Sequence, residues 1–300
     1  MMKRHKKILF LTAIIPITLG VNALITEYQE SKVLSAFENN PLDCDNYTTD
    51  KSTTMENTYL SLEDDPNAED ALKVYKITEK LITGEIHYPV RQDGKKVVYL
   101  TFDDGPSIEN TDDILKILDK YNVKATFFLT GVSINKGEYE KELVKKIAYS
   151  GHAIGNHSYS HSYKKLYPNR HVDAEAFIDD MEHNNDLLKS ILGPNFYTRA
   201  IRFPGGYWSW GNRAEIKKDI DTEGYAIIDW NSLNEDAQGC KKYAPELVMK
   251  TKENVKKLGD NADSIVFLMH DANDKQETVK ALPEIIEFFK ERNFEFKTIK

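Results

Sequence analysis

The feature that most constrains this chain is an alternation that begins after Lys95. Apolar, strand-like runs recur at 97–101, 125–130, 152–155, 198–203, 225–229, 264–269 and 294–299, and helical stretches separate most of them. Such alternation implies parallel strands joined by helical crossovers, hence an open doubly wound sheet or a barrel. The clearest helix is 111–121. Thr111 is placed to cap it, Asp112 and Asp113 suit its positive end, and Ile114, Leu115, Ile117, Leu118 and Tyr121 form one apolar face. Further helices are expected near 138–149, 173–191, 212–223, 244–258 and 277–291.

The polar residues fall at the ends of the strand runs. Asp103 and Asp104 follow the first, His157 and His161 the third, and Arg202 with its glycines the fourth. Asp229 and Trp230 end the fifth; His270 and Asp271 end the sixth. In parallel α/β folds the carboxyl ends of the strands share one face, and the active site lies there. A chance scatter of polar residues would not collect on that face so uniformly.

The chain ahead of Lys95 has a different character. Lys3, Arg4, Lys6 and Lys7 precede an uncharged, mostly apolar run of eighteen residues from Ile8 to Ile25. This is the pattern of a signal peptide or an N-terminal membrane anchor over 1–26, with its basic end inside. The weak cleavage site at Val21-Asn22-Ala23 and the long spacer favour a retained anchor. Residues 27–94 read as a stalk or linker with a short helix near 68–82, and 95–300 as the catalytic domain. Either N-terminal reading places the domain on the extracellular face of the membrane, or secreted if the segment is cleaved. A formal charge of −8 argues against a nucleic-acid partner. With only Cys44 and Cys240 there is neither a disulfide framework nor a thiolate metal site, and two unpaired thiols are expected.

Adjacent carboxylates such as Asp103 and Asp104 repel, and they persist best where a cation neutralises one or the two take different roles. His157 and His161, four residues apart on one helical turn or a tight loop imitating it, can reach one ion. With a carboxylate they make a two-histidine, one-aspartate set that leaves positions open. One aspartate could ligate while the other acts as general base, and a bound Zn²⁺ brings the pKa of its water to about 7. His270 would supply the proton that a departing amide nitrogen requires. Arg202 could pair with a carboxylate and keep it ionised. The glycines after Arg202 let backbone N–H groups approach a developing oxyanion. Tyr207, Trp208 and Trp210 follow, and one of them is expected to stack on a sugar ring. His152, His171 and His183 read as surface histidines.

Together these residues resemble the polysaccharide deacetylase family, the NodB-homology carbohydrate esterases, over roughly residues 95–300. Thr101-Phe102-Asp103-Asp104-Gly105 is similar to that family's first motif and His157-Ser158-Tyr159-Ser160-His161 to its second. Arg202-x-Pro204-x-Gly206 looks like the third, and Leu268-Met269-His270 like the last. The resemblance implies a distorted (β/α) barrel of about seven parallel strands. It implies Asp104, His157 and His161 as ligands of Zn²⁺, with another divalent ion such as Co²⁺ possible. Asp103 would be the base, His270 the acid, and Arg202 the residue orienting Asp103. Gly205 would offer its N–H to the oxyanion, Leu268 would line the acetyl pocket, and Tyr207 and Trp230 would contact substrate. The family's Asp-x-x-x-Trp motif is not matched at Asp229-Trp230-Asn231-Ser232-Leu233, and Asp236 is the nearest candidate to tune His270. The expected reaction is removal of N-acetyl groups from a cell-wall glycan, with peptidoglycan N-acetylglucosamine favoured by location. Chitin oligosaccharides, poly-N-acetylglucosamine, xylan and a catalytically silent glycan-binding role are the alternatives.

Overall fold

The computed structural model describes residues 58–300. Ten strands run in order: β1 Ala68–Glu69, β2 Lys96–Asp103, β3 Thr126–Leu129, β4 Ala153–Asn156, β5 Ala200–Ile201, β6 Ala226–Ile227, β7 Ser232–Leu233, β8 Ser264–His270, β9 Phe294–Phe296 and β10 Thr298–Ile299. The nine α-helices of the described residues are α1 Ala71–Thr83, α2 Thr111–Lys120, α3 Gly131–Ile134, α4 Glu138–Tyr149, α5 Tyr163–Leu166, α6 Ala174–Leu192, α7 Arg213–Glu223, α8 Ala244–Lys257 and α9 Gln276–Lys290. Seven parallel strands form a half-barrel in the order β6-β5-β4-β3-β2-β8-β7, and β9 lies beside the first residues of β2.

β2 shows why the sheet forms. Val98, Leu100 and Phe102 pack against Ile114 and Leu118 of α2, Ile147 of α4 and Phe289 of α9. Val97 and Tyr99 lie in a second core with Val74 and Tyr75 of α1 and Val266 of β8. A strand buried on both faces must be apolar almost throughout, which is how β2 reads. The same alternation carries Thr101 and Asp103 to the Val97 side, so the last residue of the strand puts a carboxylate over the second core.

Three expectations change. The seventh strand of the half-barrel is Ser232–Leu233, too short for a periodic signal, and the terminal run divides into β9 and β10. Thr111 does not cap α2; Asn110 stands at the cap position without a side-chain bond, while the Thr111 hydroxyl donates to Asp271 Oδ2 at 2.5 Å. The packed unit also begins before Lys95. Ala71, Val74 and Tyr75 of α1 are core residues, β1 pairs with β10, and Lys300 bridges Asp65 at 2.8 Å. Asp70 caps α1 by accepting from Leu72 N and Lys73 N, and Gly84 ends it in the left-handed region. The expected membrane segment at 1–26, the stalk as far as residue 57 and Cys44 lie outside the described residues; Cys240 is a free, exposed thiol. Among the described residues no helix is long and apolar enough to cross a membrane.

His152 is a core residue and not a surface one. It is buried, its Nδ1 accepts from Ala125 N at 3.1 Å, and its ring meets Phe127 edge-on. Burial pushes its pKa down to about 3 from 6.5, so the folded state holds it neutral. The unfolded chain binds the extra proton between those values, so this contribution to stability is present above pH 6.5 and lost as pH falls toward 3. Each pH unit in the window removes up to about 1.4 kcal/mol. Urea titrations across it should give a shallower pH slope for His152→Gln than for the wild type. Equal slopes would show that the buried ring is not the group responsible.

Candidate active site at the carboxyl ends of the strands

β2 ends at Asp103, and Asp104 follows with φ of 73°. That left-handed step is costly for a non-glycine residue and is worth a functional explanation. β4 ends at Asn156, and the two histidines follow on a loop, with Ser158 and His161 also at positive φ. His157 Nε2 lies 3.5 Å from Asp104 Oδ1, and His161 Nε2 lies 3.3 Å from the same oxygen. The ligand atoms of Asp104, His157 and His161 all fall within 4.8 Å of one another.

The donor chemistry fits a divalent cation. His157 Nδ1 sits 2.8 Å from Arg202 O, and a carbonyl can only accept, so the proton is on Nδ1 and the Nε2 lone pair faces the carboxylates. Burial lowers the His157 pKa to about 3, which keeps the ring neutral as a ligand must be. Asp104 Oδ1 is buried without a hydrogen-bond partner, a cost that a coordinated ion would remove.

Asp103 is held differently. The Arg202 guanidinium, fully buried, donates from Nη1 to Asp103 Oδ1 and Thr101 Oγ1, both at 2.7 Å, and from Nε to Ile228 O at 2.7 Å. Its plane lies 4.1 Å from the Phe128 ring. Burial pushes the Asp103 carboxyl up, and the Arg202 and His270 charges only partly offset it. A buried carboxylate with a raised pKa in a cleft has the character of a general base. Asp229, beside the same arginine, is pushed up to about 6 by burial.

Across the cleft, His270 is in direct register with Asp103 on the neighbouring strand. Its Nδ1 donates to Asp236 Oδ1 at 2.7 Å, and Asp236 Oδ2 accepts from His270 N and Thr278 Oγ1. Burial alone would lower the imidazole pKa, but the Asp236 carboxylate, with Asp103 and Asp104 behind it, raises it to about 9. The ring is therefore charged at neutral pH, with Nε2 free of protein partners among the described residues. Such a ring has the character of a general acid.

The remaining expected residues separate. Leu268 is buried on β8, level with Thr101, and Gly205 has φ of 78° and an exposed backbone. A Cβ on Gly206 would come 2.9 Å from Trp230, whose ring lies 5.7 Å from the Arg202 guanidinium. Tyr207 does not offer a face to a sugar: it is 7% exposed and its hydroxyl donates to Arg213 O. Trp210 is buried and stacks on Tyr167, so of the three aromatics only Trp208, 41% exposed, is open. A cavity of about 200 Å³ adjoins Asp104 and His161, lined by Ser107, Thr130, Ser133 and Lys136. His183 stacks on Tyr159, and His171 stays at the surface.

Two supporting groups have roles that the sequence did not indicate. Asp180 of α6, fully buried, accepts from Ser160 N and Ser160 Oγ and pairs with Lys165 at 2.5 Å. One turn on, Asn184 donates to Asn156 Oδ1, which also accepts from Ser158 N. These bonds pin the histidine loop from below. Their signal was polar residues standing among Phe177, Met181 and Leu188 on the buried face of α6. The second group is Asp271, which receives the Ser107 and Thr111 hydroxyls and so fixes the loop that carries Asp104.

A family model described as polysaccharide deacetylase matches residues 90–220. The chain is 30% identical over 211 residues to a peptidoglycan-N-acetylglucosamine deacetylase of Bacillus cereus, spanning 70% of this chain and 72% of that one. A second Bacillus cereus protein of that name is 33% identical over 209 residues, spanning 68% and 67% respectively. A CE4 esterase of Streptococcus mutans superposes with a TM-score of 0.68 at 32% identity, over 78% of this chain and 92% of that one. Fold and relatives define a hydrolase acting on amide bonds. The chain belongs to the polysaccharide deacetylase family.

Outer-shell groups that orient metal ligands are typically worth about 10- to 100-fold in affinity. Asp180→Ala should therefore weaken zinc binding by about tenfold or more, measured by competition with a chromophoric chelator. Unchanged affinity in a folded variant would show that the loop holds its shape without Asp180.

Proposed function

We propose that the protein is a metal-dependent deacetylase of an extracellular N-acetylated glycan, with peptidoglycan N-acetylglucosamine as the favoured substrate. The observation that carries this is the placing of a buried base, Asp103 on Arg202, and a charged acid, His270 on Asp236, in register across the Asp104–His157–His161 cluster. The substrate choice is supported by the names of the relatives and by the basic-then-apolar pattern of residues 1–26, which fits work outside the cytoplasm.

Asp104, His157 and His161 would hold the ion, zinc first and cobalt as a substitute. When bound it supplies Lewis acidity, which polarises a carbonyl and makes water nucleophilic at neutral pH. Asp103 takes the proton of the attacking water, and Arg202 keeps that carboxylate oriented. Gly205 N–H would donate to the oxygen of the acetyl carbonyl as it gains charge. Leu268 offers an apolar wall to the methyl group. His270 then delivers its Nε2 proton to the departing nitrogen, since an amine leaves where an amide anion would not. The products are acetate and a free amino sugar.

Acetate release from N-acetylglucosamine oligomers and isolated peptidoglycan should require added zinc. Asp103→Asn should lower kcat by about 10²–10⁴-fold. Zinc-independent release, or a variant as active as the wild type, would overturn the reading. The acid must be protonated, so activity should fall as pH rises through the His270 pKa. Asp236→Asn removes the charge that raises that pKa toward 9, and the alkaline limb of the kcat profile should move down toward 6.5. A limb that stays in place would assign it to another group.

A further inference from the structure

Tyr163 opens α5 immediately after the histidine loop, and its backbone is fixed from several sides. Ser162 caps the turn by accepting from Lys165 N, Lys165 pairs with buried Asp180, and Leu166 is in the core. The ring is fixed as well, edge-on to Trp210 at 5.1 Å and 5.6 Å from the His161 ring. Yet the residue is 47% exposed, and its hydroxyl has no hydrogen-bond partner among the described residues. The phenol is therefore held rigidly by its ring while its polar end is left open to solvent or to a ligand.

The hydroxyl is not idle in position. A Cβ built on Gly205 would lie 3.0 Å from Tyr163 Oη and 3.3 Å from its Cζ. Trp210 Cζ2 would also lie 3.0 Å from that Cβ. Gly205 also has φ of 78°, so both space and conformation reserve the position for glycine. The phenol thus rests on the Cα of the residue whose own N–H has no partner within the described residues. Two donors without a partner among the described residues, one backbone and one side chain, are thus neighbours, and the Tyr163 ring lies 5.6 Å from that of His161 in the Asp104–His157–His161 cluster. Ring packing fixes the tyrosine's body and leaves its hydroxyl available beside Gly205.

Building on the deacetylase reading, we infer that Tyr163 is a further catalytic residue: its hydroxyl donates to the acetyl oxygen of the substrate alongside the Gly205 N–H, most strongly when that oxygen carries charge. The phenol keeps its proton; it lends a hydrogen bond and no bond to it is made or broken. The arrangement needs a glycine at 205 because any side chain there would displace the second donor. The histidine loop therefore supplies both ion ligands and an oxyanion donor from one pinned segment.

The test compares Tyr163→Phe with the wild type in the full chain, reading acetate release and, separately, zinc affinity by chelator competition. Loss of one oxyanion donor costs about 10²–10³ in kcat where it has been measured. The expected result is a kcat loss approaching that range, KM within about twofold, and unchanged zinc affinity. Wild-type kcat in the phenylalanine variant would overturn the inference and leave the deacetylase reading standing. So would a loss confined to KM, which would place the hydroxyl on the ground-state sugar, or a parallel loss of zinc affinity, which would mean that Tyr163 acts through His161. Absence of acetate release from the zinc-loaded wild type would overturn the reading and this inference together.

Discussion

The Arg202 guanidinium is the interaction on which the site depends. It is fully buried, and it reaches from the end of β5 to Asp103 and Thr101 on β2 and to Ile228 past β6, while its own carbonyl receives His157 Nδ1. One residue therefore sets the position of the proposed base and the tautomer of an imidazole in the candidate metal cluster. A buried ion pair of this kind contributes little to stability, since desolvation offsets most of the attraction. What it gives is geometry, because the fixed fork of the guanidinium allows few alternative arrangements. One nitrogen, Nη2, has no partner among the described residues, as expected of a group placed for position over full satisfaction.

The secondary structure was legible where periodicity was long. Helix α4 begins and ends at the residues the sequence indicates, and α6, α7, α8 and α9 shift by a residue at most at either end. The two-residue strand at Ser232–Leu233 was not legible, because pairing with β8, and not a pattern of its own, makes it a strand. The helix α1 was legible near 68–82, but its full part in the core was not. Its Ala71, Val74 and Tyr75 are a modest apolar stripe, and only the fold shows that they fill the core against Tyr99 and Val266.

Within the site, residues carried by strand ends could be read directly, because strand direction alone sends Asp103, His157, Arg202 and His270 to one face. Aromatics were harder. Tyr207, Trp208 and Trp210 are neighbours in sequence, yet a short 3₁₀ turn buries the first and third and exposes the second. Asp236 could be proposed for lack of a better carboxylate, but its bond to His270 depends on the path of the chain after β7. Asp180 and Asp271 needed the tertiary structure, since their partners lie on loops that no local pattern positions.

The register of β2 against β8 sets Asp103 opposite His270. Adjacent strands are held about 4.8 Å apart by the ladder of backbone hydrogen bonds. The spacing between the proposed proton acceptor and proton donor is thus a property of the sheet, a ruler cut into the backbone. Loops such as that of Tyr163, or the segment from Leu233 to Tyr243, can lengthen, shorten or change sequence around that ruler. A descendant of this chain could exchange one glycan for another by redrawing the rim, while the distance a proton must travel across the scissile amide stayed the same.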